Sequence, residues 1–130
     1  MINSLKNTYN NKISLVFGCG GERDFKKRPL MARVAKSICD KVYVTDDNPR
    51  KENPKKIRKE IIKYLNKSNY KDIGNRSLAI KEAILNSEPN EIILVAGKGH
   101  ENYQDYGNKI FSISDKKIIQ SLKIKKKTYR

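Results

Sequence analysis

Apolar residues occur along this chain in two patterns, short near-continuous runs and longer stretches spaced three or four apart. Ile13–Phe17, interrupted only by Ser14, and residues 42–44 and 92–96 are near-continuous apolar runs, as expected for strands covered on both faces. Leu30, Met31, Val34, Ala35 and Ile38 recur at helical spacing behind Pro29 and predict one inward stripe. Ile57, Ile61 and Leu65 lie four apart behind Asn53-Pro54, a cap followed by proline at the first helical position. Asn75 caps a further predicted helix with Leu78, Ala79, Ala83 and Leu85 inward. Residues 70–73 read as a short strand and 109–112 as a final edge strand. Ser114 or Asp115 caps a last helix with Ile118, Ile119 and Leu122 inward.

Strand, helix and strand over about 30 residues make the natural unit of a parallel crossover. The fold class is therefore α/β, a mostly parallel sheet with helices. Open sheets of this kind place ligands at the carboxyl ends of their strands. Three polar loops leave those ends, at 18–28, 45–50 and 97–104, and converge on one edge. The second, Thr45-Asp46-Asp47-Asn48-Pro49-Arg50, is turned away from helix by Pro49.

Composition narrows the class. The 130 residues suit one compact domain over 13–122, with a linker-like start at 1–12 and a basic tail at 123–130. No apolar run approaches the roughly 20 residues of a membrane span, and the start lacks an apolar signal core, so a cytoplasmic protein is expected. Two cysteines without a secretory signal predict no disulfide framework, and a single histidine excludes zinc spacing. The net charge of +15 is spread over every segment and mixed with acids, with one block at residues 123–127. Nucleic-acid binding is therefore not expected, although a phosphate- or nucleic-acid-binding module stands as an alternative.

The loops carry the chemistry. Arg23, Lys27, Arg28, Arg50 and Lys98 are candidate anion partners, and Arg50 offers a planar fork for a carboxylate or phosphate. Asp24, Asp46, Asp47 and Glu101 supply the negative side, able to receive an ammonium. Gly18-Cys19-Gly20-Gly21 fails the dinucleotide fingerprint at Arg23, and Gly97-Lys98-Gly99 lacks the Walker serine or threonine. Cys19 and His100 have no nameable third group to make a nucleophile pair. His100 reads as a hydrogen-bonding loop residue. The bare chemistry stops at a zwitterion- or phosphate-binding α/β domain.

Val16-Phe17-Gly18-Cys19-Gly20-Gly21-Glu22-Arg23-Asp24, with Lys27-Arg28-Pro29-Leu30-Met31, resembles the opening of the C-terminal domain of the Mur ligases. Thr45-Asp46-Asp47-Asn48-Pro49-Arg50 and Ala96-Gly97-Lys98-Gly99-His100-Glu101 with Tyr103-Gln104 resemble that domain's other two signatures. Residues 13–122 are covered, in the right order. Glu22 stands where aspartate is commoner, and Phe25-Lys26 replaces a basic-glycine pair. The resemblance implies a Rossmann-like sheet with helices on both faces and an ATP-dependent acid–amino-acid ligase of peptidoglycan synthesis. It implies meso-diaminopimelate as the added amino acid, with L-lysine as the alternative. Arg50 and Asn48, helped by Arg23, would hold the distal carboxylate, Asp47 and Glu101 the distal ammonium, and Gly97 would give a backbone contact. Asp24 and Lys27 would lie near the nucleotide. The UDP-N-acetylmuramoyl dipeptide, ATP and magnesium would be held mainly by domains absent here. The chain is thus expected to be a fragment or one piece of a split ligase, with no catalytic or metal-ligating residue of its own and no turnover alone.

Overall fold

A computed structural model describes residues 12–22, 25–65, 69–97 and 101–128 of the chain, with side chains as far as Ser121. Its elements run β1 (Ile13–Phe17), α1 (Lys27–Ile38), β2 (Lys41–Val44), α2 (Pro54–Ile62), β3 (Tyr70–Asp72) and α3 (Arg76–Leu85). β4 (Ile92–Val95), β5 (Tyr103–Asp105), β6 (Ile110–Ser112) and α4 (Asp115–Thr128) follow. Four strands form one parallel sheet in the order β3-β2-β1-β4. The chain thus steps outward twice from β1, then crosses back over it to β4.

Strand alternation divides the core in two. Ile13, Leu15, Phe17, Val42 and Val44 face α1 and α2, where Ala32, Ala35, Ile57 and Ile61 meet them. Val16 and Tyr43 face the other way, onto Ala79, Ile80, Ala83 and Ile84 of α3 and the half-buried Ile118 and Ile119 of α4. Reversing direction at constant crossover hand must move α3 to the opposite face, which gives the two-sided α/β layering expected. Cys19 and Cys39 are both buried on the α1/α2 side. No helix among the described residues is long and apolar enough to cross a membrane.

Caps fall where the sequence places them. Asn53 Oδ1 accepts from Lys55 N at 2.9 Å with Pro54 at the first position, and Asn75 Oδ1 accepts from Leu78 N at 3.0 Å. Ser114 opens α4, its Oγ accepting from Lys117 N at 3.3 Å. α4 continues to Thr128, through most of the segment read as a basic tail.

The inward helix faces differ from the expected stripes. Leu30 and Val34 are 58% and 46% exposed, whereas Ala35 is buried and Met31 and Ile38 pack half-buried against the core as expected, joined by the buried Arg28 and Ala32. In α3, Leu78 and Leu85 face solvent, while Arg76, Ala79, Ile80, Ala83 and Ile84 face in. Each helix begins its buried face with a fully buried arginine, whose position fixes the rotation of the turns behind it. The predicted last edge strand also differs. Ile110–Ser112 pairs antiparallel with Tyr103–Asp105 in a separate two-stranded ribbon, so Tyr103 and Gln104 lie in a strand, not in a loop.

Candidate functional site

The loops after β1, β2 and β4 meet at the point where the strand order reverses, the usual ligand position in an open α/β sheet. Gly21 N donates to Asn48 O at 2.8 Å, and a Cβ on Gly21 would stand 1.7 Å from Pro49 O. Only glycine permits that approach of two backbones. On the other side Gly97 has φ +111°, and Asp47 Oδ2 lies 3.3 Å from where its Cβ would be.

Within the 45–50 loop the side chains divide by role. Asp46 is buried, salt-bridged to Arg58, and accepts from Tyr106 Oη at 2.8 Å. Arg58 also reaches Asp72 at 2.7 Å. Burial first, and then the bond to Asp46, push the Tyr106 phenol well above its ordinary pKa. Asp46 is therefore not open to a ligand ammonium, which corrects the sequence reading. Gln104 Nε2 donates to Asp46 O and Asp47 O, both at 3.1 Å, and ties the ribbon to the loop.

Asn48 is buried and held at both ends. Its Oδ1 accepts from Asp105 N at 2.9 Å, and its Nδ2 donates to Glu101 Oε1 at 3.3 Å. Arg50 is half-buried with φ +57°, and its backbone N donates to Asp105 O at 2.8 Å. Arg50 Nη1 donates to Gly21 O at 3.0 Å and Asn48 O at 3.3 Å. Its Nε and Nη2 have no hydrogen-bond partner among the described residues, which leaves one two-pronged edge of the guanidinium. Asp47, Asn48, Arg50, Gly97 and Glu101 are thus brought to one edge. This arrangement can bind a carboxylate through Arg50 beside the carboxylates of Asp47 and Glu101.

Lys27 opens α1 with an exposed side chain. Arg23, Asp24, Lys98 and His100 lie outside the described residues. Arg28, expected as an anion partner, is fully buried and already engaged: it forks onto Glu52 with two bonds of 2.9 Å, meets Glu60 at 2.7 Å and donates to Gly20 O at 3.0 Å. It joins α1 to α2 and the glycine loop and cannot bind a ligand as well.

Sequence reasoning missed Glu52, Arg58, Arg76, Gln104 and Tyr106 as supports of this edge. For the burial of Arg28, their neighbour in the network, the available signal was its register with Ala32 and Ala35. A neighbouring cleft of about 550 Å³ lies between the Gly74–Arg76 turn and the ribbon, but its charged walls, Asp46 and Arg76, are already paired. Among the described residues no group of three His, Cys, Asp or Glu could hold a metal ion. With no Walker loop in the sequence, these residues do not fit a nucleotide–magnesium site.

Fold and loops together define an α/β domain whose polar strand-end loops gather at a sheet switch point. The family model for the Mur ligase, glutamate ligase domain, matches residues 1–99, and the chain belongs to that family. It is 49% identical over 112 residues to the UDP-N-acetylmuramoyl-L-alanyl-D-glutamate–2,6-diaminopimelate ligase of Rickettsia felis, covering 86% of this chain and 21% of that protein. The identically named protein of Rickettsia montanensis is 48% identical over 121 residues, 92% of this chain and 25% of its own length. A solved structure of a ligase of that name superposes with a TM-score of 0.84 at 36% identity, over 92% of this chain and 25% of the other. The chain therefore spans between a fifth and a quarter of the relatives it matches.

Proposed function

We propose that this chain is the amino-acid-binding part of a ligase that joins meso-diaminopimelate to UDP-N-acetylmuramoyl-L-alanyl-D-glutamate in peptidoglycan synthesis. The observation that carries this reading is the posture of Arg50. Its Nη1 is spent on the backbone carbonyls of Gly21 and Asn48, so that Nε and Nη2 remain for a ligand, in a loop whose Asn48 side chain meets Glu101. The distal carboxylate of diaminopimelate accepts two parallel hydrogen bonds from these two nitrogens, with Arg23 assisting. The distal ammonium lies between the carboxylates of Asp47 and Glu101, and Gly97 contributes its backbone. L-lysine has no distal carboxylate, so it would leave Arg50 desolvated and unpaired, a penalty that favours diaminopimelate. The names of the relatives, at 48% and 49% identity, support the same substrate.

In this reading, activation of the dipeptide carboxyl by ATP and magnesium belongs mainly to the rest of the ligase. In this reading Asp24 and Lys27 face the nucleotide when the parts close, and the chain alone does not turn over. On the same reading the reaction, which consumes ATP and a nucleotide-linked dipeptide, takes place in the cytoplasm.

The test is a ligase assay with this chain joined to the remaining length of a relative. Arg50→Ala should raise the diaminopimelate requirement about tenfold or more, the loss of a charge-assisted two-pronged contact. An unchanged requirement would remove Arg50 from the substrate site. Equal use of L-lysine by the unaltered enzyme would overturn the choice of amino acid.

A further inference from the structure

Two non-glycine residues among the described residues take up left-handed backbone, Glu22 at φ 63° and Arg50 at φ 57°. They sit on the two loops that touch at Gly21 and Pro49. Such conformations are disfavoured for residues with a side chain and persist only where the surroundings hold them. Here each loop holds the other. Glu22 N donates to Glu52 Oε1 at 2.9 Å, and Lys51 N donates to Glu22 Oε1 at 2.9 Å. The turn is closed by Glu52 N to Pro49 O at 3.1 Å. The Glu52 carboxylate is aimed in turn by the buried fork of Arg28.

We propose that Glu22 and Glu52 form a reciprocal clamp that positions Arg50, fixing the direction of its guanidinium before any ligand arrives. This rests on the reading of Arg50 as the carboxylate partner. Lys51 N–H is the bond donor directly after Arg50, so its capture by Glu22 limits rotation about the peptide that aims the Arg50 side chain. The side chain then lies back over Gly21 O. Glu22 is exposed, and the core makes no use of its carboxylate. Its bond to Lys51 serves only the turn. Glu22 and Glu52 are positioning residues, which act on a ligand through Arg50.

The 130-residue chain itself allows the test, by nuclear magnetic resonance of the Lys51 amide and the Arg50 Nε–Hε group. In Glu22→Ala, Lys51 amide exchange should quicken about tenfold, the loss of one hydrogen bond, and the Arg50 Nε–Hε signal should become more mobile. Glu22→Gln, which keeps an accepting oxygen, should restore both. Glu22→Gly accepts the left-handed backbone freely and separates loss of the carboxylate from strain. A folded Glu22→Ala or Glu22→Gly chain with Lys51 and Arg50 unchanged would overturn the clamp. Titrating meso-diaminopimelate into the same samples tells the two ideas apart. Binding by the unaltered chain that is equally strong in Glu22→Ala would overturn the positioning role and leave the substrate reading intact. No binding by the unaltered chain would count against the substrate reading, while the resonance data alone would still decide the clamp.

Discussion

Arg76 and Asp115 meet in a two-pronged ion pair, Nε to Oδ1 at 2.8 Å and Nη2 to Oδ2 at 2.7 Å, with the arginine side chain fully buried. The pair fastens the first turn of α3 to the first turn of α4. Arg76 also donates to Ala96 O at 3.0 Å and Asp46 O at 3.3 Å, so it holds the ends of β2 and β4 together. Removing one partner of a buried pair leaves the other charged and unsatisfied. Asp115→Ala should cost about 3–5 kcal/mol of unfolding free energy, read from urea midpoints. A loss below about 1 kcal/mol would place the pair with ordinary surface bridges.

Gly21→Ala has no room to relax, because the new methyl would meet backbone and not a flexible side chain. Displacing Pro49 means displacing Asn48 and Arg50 as well. The substitution should cost about 3 kcal/mol or more, at or beyond the upper end for overpacking, and shift the amide signals of residues 47–51. A thermal midpoint equal to that of the unaltered chain would refute the close approach of the two loops.

Acid should weaken the fold through Glu52. The hydrogen bonds from Arg28, with the Glu22 amide and nearby charge, hold its carboxyl below the ordinary glutamate range against the opposing effect of burial. The folded state therefore binds this proton less readily than the unfolded state. The stabilisation is complete above the unfolded value of about 4.3 and is lost as pH falls through the lower folded value. Thermal midpoints should drop on acidification below about pH 4. Glu52→Gln should be less stable at neutral pH and should lose that part of the acid response.

Tyr106→Phe removes the hydroxyl bonded to Asp46 and should cost about 1 kcal/mol, since Asp46 keeps Arg58. Burial raises the phenol pKa of Tyr43 as well as that of Tyr106. In an alkaline absorbance titration these two tyrosines should ionise above the ordinary phenol value of about 10. Loss of a late-titrating phenol in Tyr106→Phe would assign the signal.

The strands β1, β2 and β4 were legible because a near-continuous apolar run has few other uses in a charged chain. The asparagine caps were legible because their bonds are local. The rotations of α1 and α3 were not, because Arg28 and Arg76 occupy places that hydropathy gives to leucine. Their acidic partners lie 24, 32 and 39 residues away, beyond the reach of periodicity. Asp46 misled for the same reason, its partners Arg58 and Tyr106 standing 12 and 60 residues on. The residues brought to the site edge were readable as motifs, whereas the ribbon that supports them has only three residues per strand.

The contact between Gly21 and Pro49 also bears on how such domains can be recombined. Residues 18–22 and 45–52 are far apart in sequence yet form a single module, each shaped to the other's backbone. A chimera with a crossover between Phe17 and Thr45 brings together a glycine loop and a turn from different parents. It inherits neither the close approach nor the paired left-handed residues unless both parents share them. A crossover in the polar stretch at 86–91 keeps the module whole. A block that carries both loops should therefore keep the close approach and the left-handed pair intact, and exchange of the 45–50 segment alone should lose them.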